Sequence, residues 1–154
     1  MNDVYLKEEF ILNNYKCEKF EDVIYALCQR LVEGKAIEKE YFDAVIEREK
    51  KFPTGLPTEP YKVAIPHASG DGLVLKSSLA VAVLNKPVNV IEAGSSVGKN
   101  LKVDIVFLIA MKSADGQLDM LRRLNEIFTK KEYLEKIKNS ETPKEVINIL
   151  QNVE

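Results

Sequence analysis

The sequence predicts an α/β fold, a single domain in which a mixed central β-sheet has helices on both faces. Two continuous apolar runs, at residues 79–84 and 103–111, are typical of strands that are buried on both faces. Amphipathic helical patterns lie before and after these runs. A chain of 154 residues without internal repeats has the length of one domain. We therefore expect residues 1–154 to form one domain in which helices alternate with strands.

The N-terminal third contains two predicted helices. Residues 4–12 are apolar enough for a strand or a short helix, and their pattern does not decide between them. Residues 20–32 place apolar side chains at i, i+3, i+4 and i+7, and Gly34 follows as a natural C-terminal cap. A second helix is expected at residues 38–50, because Pro53 prevents it from running further. Its inner stripe consists of Tyr41, Phe42, Val45 and Ile46.

A short apolar run leads to the only histidine of the chain. Residues 63–65 are β-prone and lie between Pro60 and Pro66, so they predict a short buried strand with His67 at its end. Residues 68–72 are small, polar and rich in glycine, a composition that lets backbone N–H groups approach an anion closely. This part of the sequence therefore indicates a histidine beside room for a phosphate.

Residues 88–91 are a further strand candidate. The segment that follows, residues 92–100, is rich in glycine and serine and invites comparison with a phosphate-binding loop. It lacks the G-x-x-x-x-G-K-[ST] spacing of such a loop, so we interpret it as a turn.

Three helices are expected in the C-terminal third. Residues 117–128 carry an apolar stripe of Leu118, Leu121, Leu124, Ile127 and Phe128. A shorter helix is expected at residues 133–137. The last helix begins at Thr142 as N-cap, with Pro143 at the first position and Glu145 at the third, the arrangement of a capping box.

Composition excludes several classes of function. With 45% hydrophobic residues, 30% charged residues and a formal charge of −2, the chain resembles neither a nucleic-acid-binding protein nor one that binds an acidic membrane surface. The first ten residues include acidic ones and lack the apolar core of a signal peptide. No apolar run approaches the ~20 residues of a membrane span. We therefore expect a cytoplasmic protein.

The two cysteines do not suggest a disulfide. Cys17 and Cys28 are expected on one helix, eleven residues apart, which at ~1.5 Å rise per residue separates them by about 16 Å. One histidine and no clustered carboxylate motif leave too few ligands for a metal. The sequence accordingly predicts that the fold needs neither metal nor cofactor.

Three blocks of sequence resemble a known family. These blocks, Arg48-Glu49, the FPTG of residues 52–55 and the VAIPHA of residues 63–68, resemble the active-site region of the fructose/mannitol-type enzyme IIA domains of the bacterial sugar phosphotransferase system. The closest resemblance is to the galactitol branch. The resemblance implies a phosphotransferase component in which His67 accepts a phosphoryl group from the carrier HPr and passes it to a cysteine of enzyme IIB. Enzyme IIB in turn acts with a membrane enzyme IIC.

The same resemblance gives roles to two further residues. Arg48, near the C-terminus of the second predicted helix, corresponds to an arginine that supports the phosphoryl group in relatives; alternatively it is a solvated residue that complements the helix dipole. Gln117 stands where mannitol-type relatives carry a second histidine. Glutamine donates hydrogen bonds but carries no charge, and the alternative is an exposed residue in the first turn of a helix.

The chemistry of such a carrier needs few groups. A neutral imidazole, with an ordinary pKa of ~6.5, is nucleophilic at neutral pH, and phosphoryl transfer depends mainly on positioning and electrostatics. In the family the Nε2 atom carries the phosphoryl group, so the Nδ1–H needs an acceptor that the sequence does not identify.

A Ser-His-Asp hydrolase built on Ser69 and Asp71 is disfavoured because no G-x-S-x-G motif is present. Two alternatives stay open: a regulatory phosphotransfer module of the nitrogen-related type, and a non-catalytic interaction domain in which His67 is structural.

Overall fold

A mixed sheet of five strands forms the centre of the computed structural model, which describes residues 3–153. The strands are β1 (Ile11–Tyr15), β2 (Gly55–Leu56), β3 (Lys62–Ala64), β4 (Ser78–Ile91) and β5 (Asn100–Ala110). Their order across the sheet is β1-β4-β5-β3-β2. The pairs β1/β4 and β3/β5 are parallel, whereas β4/β5 and β2/β3 are antiparallel.

Helices cover both faces of this sheet. They are α1 (Phe20–Glu33), α2 (Tyr41–Lys51), α3 (Ala114–Phe128), α4 (Lys131–Lys138) and α5 (Pro143–Gln151). One core cluster contains residues of α1 and α2, and a second contains residues of α3, α4 and α5. The predicted fold class, a mixed sheet between helices in a single domain, is confirmed.

The side chains of β4 and β5 alternate between these two clusters. In β4, Ala80, Ala82 and Leu84 belong to the cluster of α1 and α2, whereas Leu79, Val81 and Val83 belong to the opposite one. Successive strand residues point to opposite faces, and here both faces are buried. This double burial is why the two runs read as continuous apolar stretches in the sequence.

The segments at 79–84 and 88–91 form the single strand β4 and not two strands. The pairing with β5 changes register between Val83 and Val88. At this irregularity the carbonyl oxygen of Leu84 accepts a hydrogen bond from Nζ of Lys138 at 2.6 Å, and the same Nζ lies 3.2 Å from Oδ1 of Asp104. A bulge interrupts the ladder locally, and the lysine supplies a partner for the carbonyl there.

The segment at residues 4–12, which the sequence left undecided, contains a short 3-10 helix (Glu8–Phe10) followed by the start of β1. The predicted caps are present at two other helices. Gly34 follows α1, and its N–H donates to the carbonyl of Arg30 at 3.0 Å. At α5 the Oγ1 of Thr142 accepts a hydrogen bond from the N–H of Glu145. No helix in the described part of the chain is both long enough and apolar enough to cross a membrane.

The expectation that both cysteines lie on one helix is wrong. Helix α1 begins at Phe20, so Cys17 precedes it and only Cys28 is helical. Both thiols are free. Cys28 is buried, and its burial raises the pKa of the thiol to about 12. A thiol that stays protonated at neutral pH acts as a packing group.

The predicted apolar stripe of α3 is also partly wrong. Leu118 is 50% exposed, and Met120 takes its place among the buried residues together with Leu124 and Ile127. The helix begins at Ala114, three residues before the predicted start. Met120, Leu124 and Ile127 are spaced by four and three residues and share one face of the helix, whereas Leu118 lies away from that face.

Candidate active site

His67 lies in the extended chain that continues beyond β3. The N–H of Ile109 donates to the carbonyl of Pro66 at 3.1 Å, and His67 pairs with Ile109 in a parallel bridge. Proline has no N–H to donate, but its carbonyl still accepts, so the chain follows β5 past the end of β3. The histidine side chain is 6% exposed. It therefore sits at the end of the strand pair, almost covered by protein.

One contact fixes the protonation of this imidazole. The Nδ1 atom lies 2.6 Å from the backbone carbonyl oxygen of Ile65. A carbonyl oxygen only accepts hydrogen bonds, so in the neutral ring Nδ1 carries the proton and Nε2 presents its lone pair. The carbonyl of Ile65 is thus the acceptor that the sequence did not identify.

The surroundings of His67 also favour the neutral form. Burial lowers the pKa of His67, the hydrogen bond to Ile65 acts in the opposite direction, and the positive charge of Arg48 lowers the pKa further. The net direction is downward from the ordinary value of 6.5. At neutral pH the ring is therefore uncharged, and its Nε2 atom is available for attack on an electrophile.

A cleft of about 270 Å³ opens next to the histidine loop. It is lined by Arg48 from α2, by Ser69, Gly70 and Asp71 after the histidine, and by Lys112, Ser113, Ala114 and Gln117 at the start of α3. The fold thus brings Arg48 and Gln117 to the loop that follows His67. Two cationic side chains against one carboxylate make the cleft suitable for an anion.

The first turn of α3 contributes to this cleft. The Oγ atom of Ser113 accepts a hydrogen bond from the N–H of Gly116 at 3.0 Å and so caps the helix. The N-terminal N–H groups of a helix carry partial positive charge, which attracts anions. Gln117, half-buried in the same turn, also lines the cleft. The turn therefore adds neutral donors to the charges of Arg48 and Lys112.

Arg48 is held by an aromatic ring. It lies in the last turn of α2, and its Cζ atom is 5.3 Å from the ring centroid of Phe52. Stacking on a ring restricts a guanidinium to few orientations while leaving its N–H donors free at the edge. Phe52 itself is 62% exposed. The ring contact therefore limits the orientations of the Arg48 side chain next to the cleft.

The residue after Arg48 stabilises the approach to the histidine. The Glu49 carboxylate accepts hydrogen bonds from the N–H of Thr54 at 2.9 Å and from its Oγ1 at 2.8 Å. The carbonyl of Thr54 accepts from the N–H of Ile65 at 3.3 Å. Burial raises the pKa of Glu49, although the two bonds to Thr54 oppose this. The end of α2 is thereby tied to the residue whose carbonyl holds His67.

Gly70 allows the loop after the histidine to pass close to β5. A Cβ atom at this position would overlap the carbonyl oxygen of Met111. Only glycine permits such an approach between two backbones. The loop that lines the cleft is therefore positioned against the end of the sheet.

Sequence reasoning missed three groups at this site. Glu49 and Thr54 appeared only as letters of a motif, and Tyr41 only as a member of an apolar stripe. The hydroxyl of Tyr41 contacts the backbone of Ala68, directly after the histidine. A buried tyrosine hydroxyl normally has a partner, which is the signal that the sequence offered.

In the described part of the chain, no three His, Cys, Asp or Glu side chains are placed to hold a metal ion together.

Comparison with known proteins places this geometry in a family. The model of the family "Phosphoenolpyruvate-dependent sugar phosphotransferase system, EIIA 2" matches residues 4–153. The chain is 28% identical over 155 residues to the mannitol-specific phosphotransferase enzyme IIA component of Halalkalibacterium halodurans, with 99% of each chain covered.

Two solved structures have a similar fold. The mannitol enzyme IIA of Escherichia coli, solved in complex with phosphorylated enzyme IIB, aligns with a TM-score of 0.80 at 22% identity over 96% of this chain and 98% of that chain. The nitrogen regulatory protein IIA-Ntr of Neisseria meningitidis aligns with a TM-score of 0.73 at 25% identity over 94% and 95% of the two chains. Because the family model spans nearly the whole chain, the protein belongs to the EIIA 2 family of the sugar phosphotransferase system, whose members are phosphoryl-carrying enzyme IIA components.

Proposed function

We propose that this protein carries phosphoryl groups on Nε2 of His67 for sugar uptake. In the first step the N–P bond of phosphohistidine in HPr breaks and a bond from phosphorus to Nε2 of His67 forms. In the second step that bond breaks and an S–P bond forms on a cysteine of enzyme IIB. The Nδ1 proton stays on the ring throughout, because the carbonyl of Ile65 holds it. The single observation that carries the proposal is this bond, which leaves the lone pair on Nε2 of a buried, neutral imidazole, next to a loop that lines a cationic cleft.

Arg48 and Gln117 act on the phosphoryl oxygens in this proposal. Arg48 donates charge-assisted hydrogen bonds from a guanidinium that Phe52 orients. Gln117 donates a neutral hydrogen bond from its amide and contributes neither charge nor proton. Their presence in one cleft with the histidine loop supports both roles.

The proposed partners follow from the relatives. A mannitol enzyme IIA with a similar fold has been solved in complex with phosphorylated enzyme IIB, which supports enzyme IIB as the acceptor here. HPr as donor, and a cytoplasmic reaction beside a membrane enzyme IIC, complete the proposal. The motif around His67 favours a galactitol-like sugar, whereas the 28% identical relative is mannitol-specific.

A second candidate is regulatory phosphotransfer without sugar uptake. The similar fold of the nitrogen regulatory protein IIA-Ntr, at 25% identity, favours it. Both candidates share phosphorylation of His67 and differ in the step that follows. If the role is transport, the purified phosphorylated protein should pass its phosphoryl group to the cysteine of a galactitol-type or mannitol-type enzyme IIB. If the phosphoryl group stays on His67 in the presence of either acceptor, the regulatory role is favoured.

Phosphorylation itself is tested with phosphoenolpyruvate, enzyme I and HPr. Intact-mass measurement should show one acid-labile phosphoryl group per chain, and none in the variant His67→Ala, since His67 is the only histidine. Equal labelling of the variant would remove His67 from the mechanism. No labelling of the native protein by its cognate HPr would favour an interaction domain with a structural histidine.

A further inference from the structure

The hydroxyl of Tyr41 occupies an unusual position directly behind the active-site histidine. The side chain is fully buried at the start of α2. Its oxygen accepts a hydrogen bond from the N–H of Ala68 at 3.0 Å, and it lies 2.8 Å from the carbonyl oxygen of Ile109 and 3.2 Å from that of Ala68. A hydroxyl has one proton to donate, and the shorter distance assigns that proton to Ile109.

The N–H of Ala68 and the carbonyl of Ile109 are the groups of the next rung of the β-ladder. The preceding rung runs from the N–H of Ile109 to the carbonyl of Pro66. In a parallel ladder the following bond joins the N–H of Ala68 to the carbonyl of Ile109. The Tyr41 hydroxyl links this donor and this acceptor through two successive hydrogen bonds. The chain leaving His67 is therefore joined to β5 through a side chain supplied by a helix.

We propose that Tyr41 is a positioning residue for phosphoryl transfer: its hydroxyl, bonded to both Ala68 and Ile109, fixes the backbone of His67 relative to β5 and so fixes the position of Nε2. This inference rests on the proposed function of His67. It gives Tyr41 no contact with the phosphoryl group.

The contacts on the other side of the histidine complete this arrangement. The carbonyl of Ile65 holds Nδ1 of His67 from the preceding residues, while Tyr41 holds the peptide of Ala68 from the following ones. Rotation of the ring and displacement of its backbone are thus restricted by separate bonds. Burial raises the pKa of Tyr41, so the hydroxyl remains protonated and keeps both of its roles, acceptor and donor, throughout the physiological range.

Tyr41→Phe tests the proposal, because it removes only the hydroxyl. The rate of phosphoryl transfer from phospho-HPr at saturating donor should fall about 10- to 100-fold, as expected for a small misplacement of a reacting group. The donor concentration that gives half the maximal rate should not change, since Tyr41 is buried and does not touch the donor. The matched control is Tyr15→Phe. Tyr15 lies in β1 and pairs with Leu84, whereas Ser78, at the other end of β4, pairs with Ala110 beside Ile109. This control variant should keep the native rate.

NMR provides a readout that does not depend on catalysis. In the native protein, the Tyr41 hydroxyl proton should exchange slowly and show a nuclear Overhauser effect to the amide proton of Ala68. In Tyr41→Phe the Ala68 amide and the ¹⁵N signals of the single imidazole should shift, while Tyr15→Phe leaves both in place. The first of these measurements uses the native protein, so it applies even where the variant is too unstable for rate assays.

The outcomes separate this inference from the proposed function. Failure of the native protein to accept phosphate rejects the carrier role. Normal phosphorylation of the native protein together with a native saturated rate in Tyr41→Phe, or an equal loss in Tyr15→Phe, overturns the role of Tyr41. Absence of the hydroxyl-to-amide effect in the native protein would overturn it as well.

Discussion

The backbone carbonyl of Ile65 determines which nitrogen of His67 can react. Without an acceptor at 2.6 Å, a neutral imidazole would exchange its proton between both nitrogens. With it, the tautomer protonated at Nδ1 prevails and Nε2 keeps its lone pair. The acceptor belongs to the main chain two residues before the histidine, so substitutions of the Ile65 side chain leave it in place.

The first prediction at the scale of the residue concerns the pKa of His67. Burial and the charge of Arg48 lower it, so the imidazole signals in an NMR titration should have their midpoint below 6.5. Phosphoryl acceptance should consequently be independent of pH above 6.5 and decrease only below it. A midpoint at or above 6.5 would contradict the burial seen in the structure.

The lowered pKa also predicts a pH dependence of stability. Between the folded-state pKa of His67 and 6.5, the unfolded chain binds more protons than the folded one. The free energy of unfolding therefore rises with pH in that window, and this contribution of His67 to stability is lost as the pH falls through it. The variant His67→Gln should lack this dependence. Urea unfolding of both proteins across the window measures the difference, and the raised pKa of Glu49 affects both equally. Parallel stability profiles would contradict the prediction.

The second residue with a specific prediction is Arg48. Arg48→Ala should slow transfer to and from His67 by roughly 10- to 150-fold, since a charge-assisted hydrogen bond contributes about 1.5 to 3 kcal/mol. Arg48→Lys keeps the charge without the planar fork and should give an intermediate rate. Rapid-quench transfer from phospho-HPr, together with thermal melts, distinguishes this from a solvated arginine. If Arg48 is only a solvated residue, both variants should keep native rates and lose at most about 1 kcal/mol of stability.

At the scale of the element, the first turn of α3 places Gln117 beside the cleft. Ser113→Ala removes the N-cap and should cost about 1 kcal/mol of stability and fray this turn. Thr142→Ala removes the comparable N-cap of α5 and is the matched control. Both variants should lose similar stability in urea unfolding, but only Ser113→Ala should slow phosphoryl transfer. Equal transfer rates in the two variants would show that the order of this turn is irrelevant to the reaction.

At the scale of the whole molecule, the proposed function requires one face to serve two partners. His67 is 6% exposed, and the exposed apolar side chains of Phe52 and Leu118 belong to the segments that also carry Arg48 and Gln117. A donor and an acceptor that both reach Nε2 must dock over this face in turn, through a small interface with an apolar centre and a polar rim.

HPr and enzyme IIB should therefore compete for this face. NMR shift mapping with each partner should perturb the same signals around Phe52 and Leu118, and excess HPr should displace enzyme IIB. Leu118→Ser should raise the donor concentration required for half-maximal transfer, whereas Glu126→Ser, two turns further along α3, should not. Footprints on separate faces would contradict a carrier that presents one histidine to both.

The sequence by itself determined the layers of the fold and selected His67 as the candidate for the site. Apolar runs marked β4 and β5 because both of their faces are buried, and helical periodicity marked α1 and α2. The pattern around His67 was local, since the strand that leads to it and the glycine-bearing loop after it are contiguous in the chain. Where the expectations failed, α3 begins three residues earlier than predicted and exposes Leu118, and Cys17 lies before the start of α1. Helix boundaries depend on caps and tertiary contacts that periodicity does not encode.

Only the tertiary structure decided how the histidine is held. The hydroxyl of Tyr41 reaches Ala68 and Ile109 because α2 packs against the sheet at the level where the chain runs past β3. The carboxylate of Glu49 meets Thr54 because the chain reverses at the end of the same helix. Residue type and spacing carry no information about such contacts, since each one depends on the relative position of two elements. The sequence therefore indicated the candidate histidine, and the packing of α2 on the sheet specified how its backbone is held.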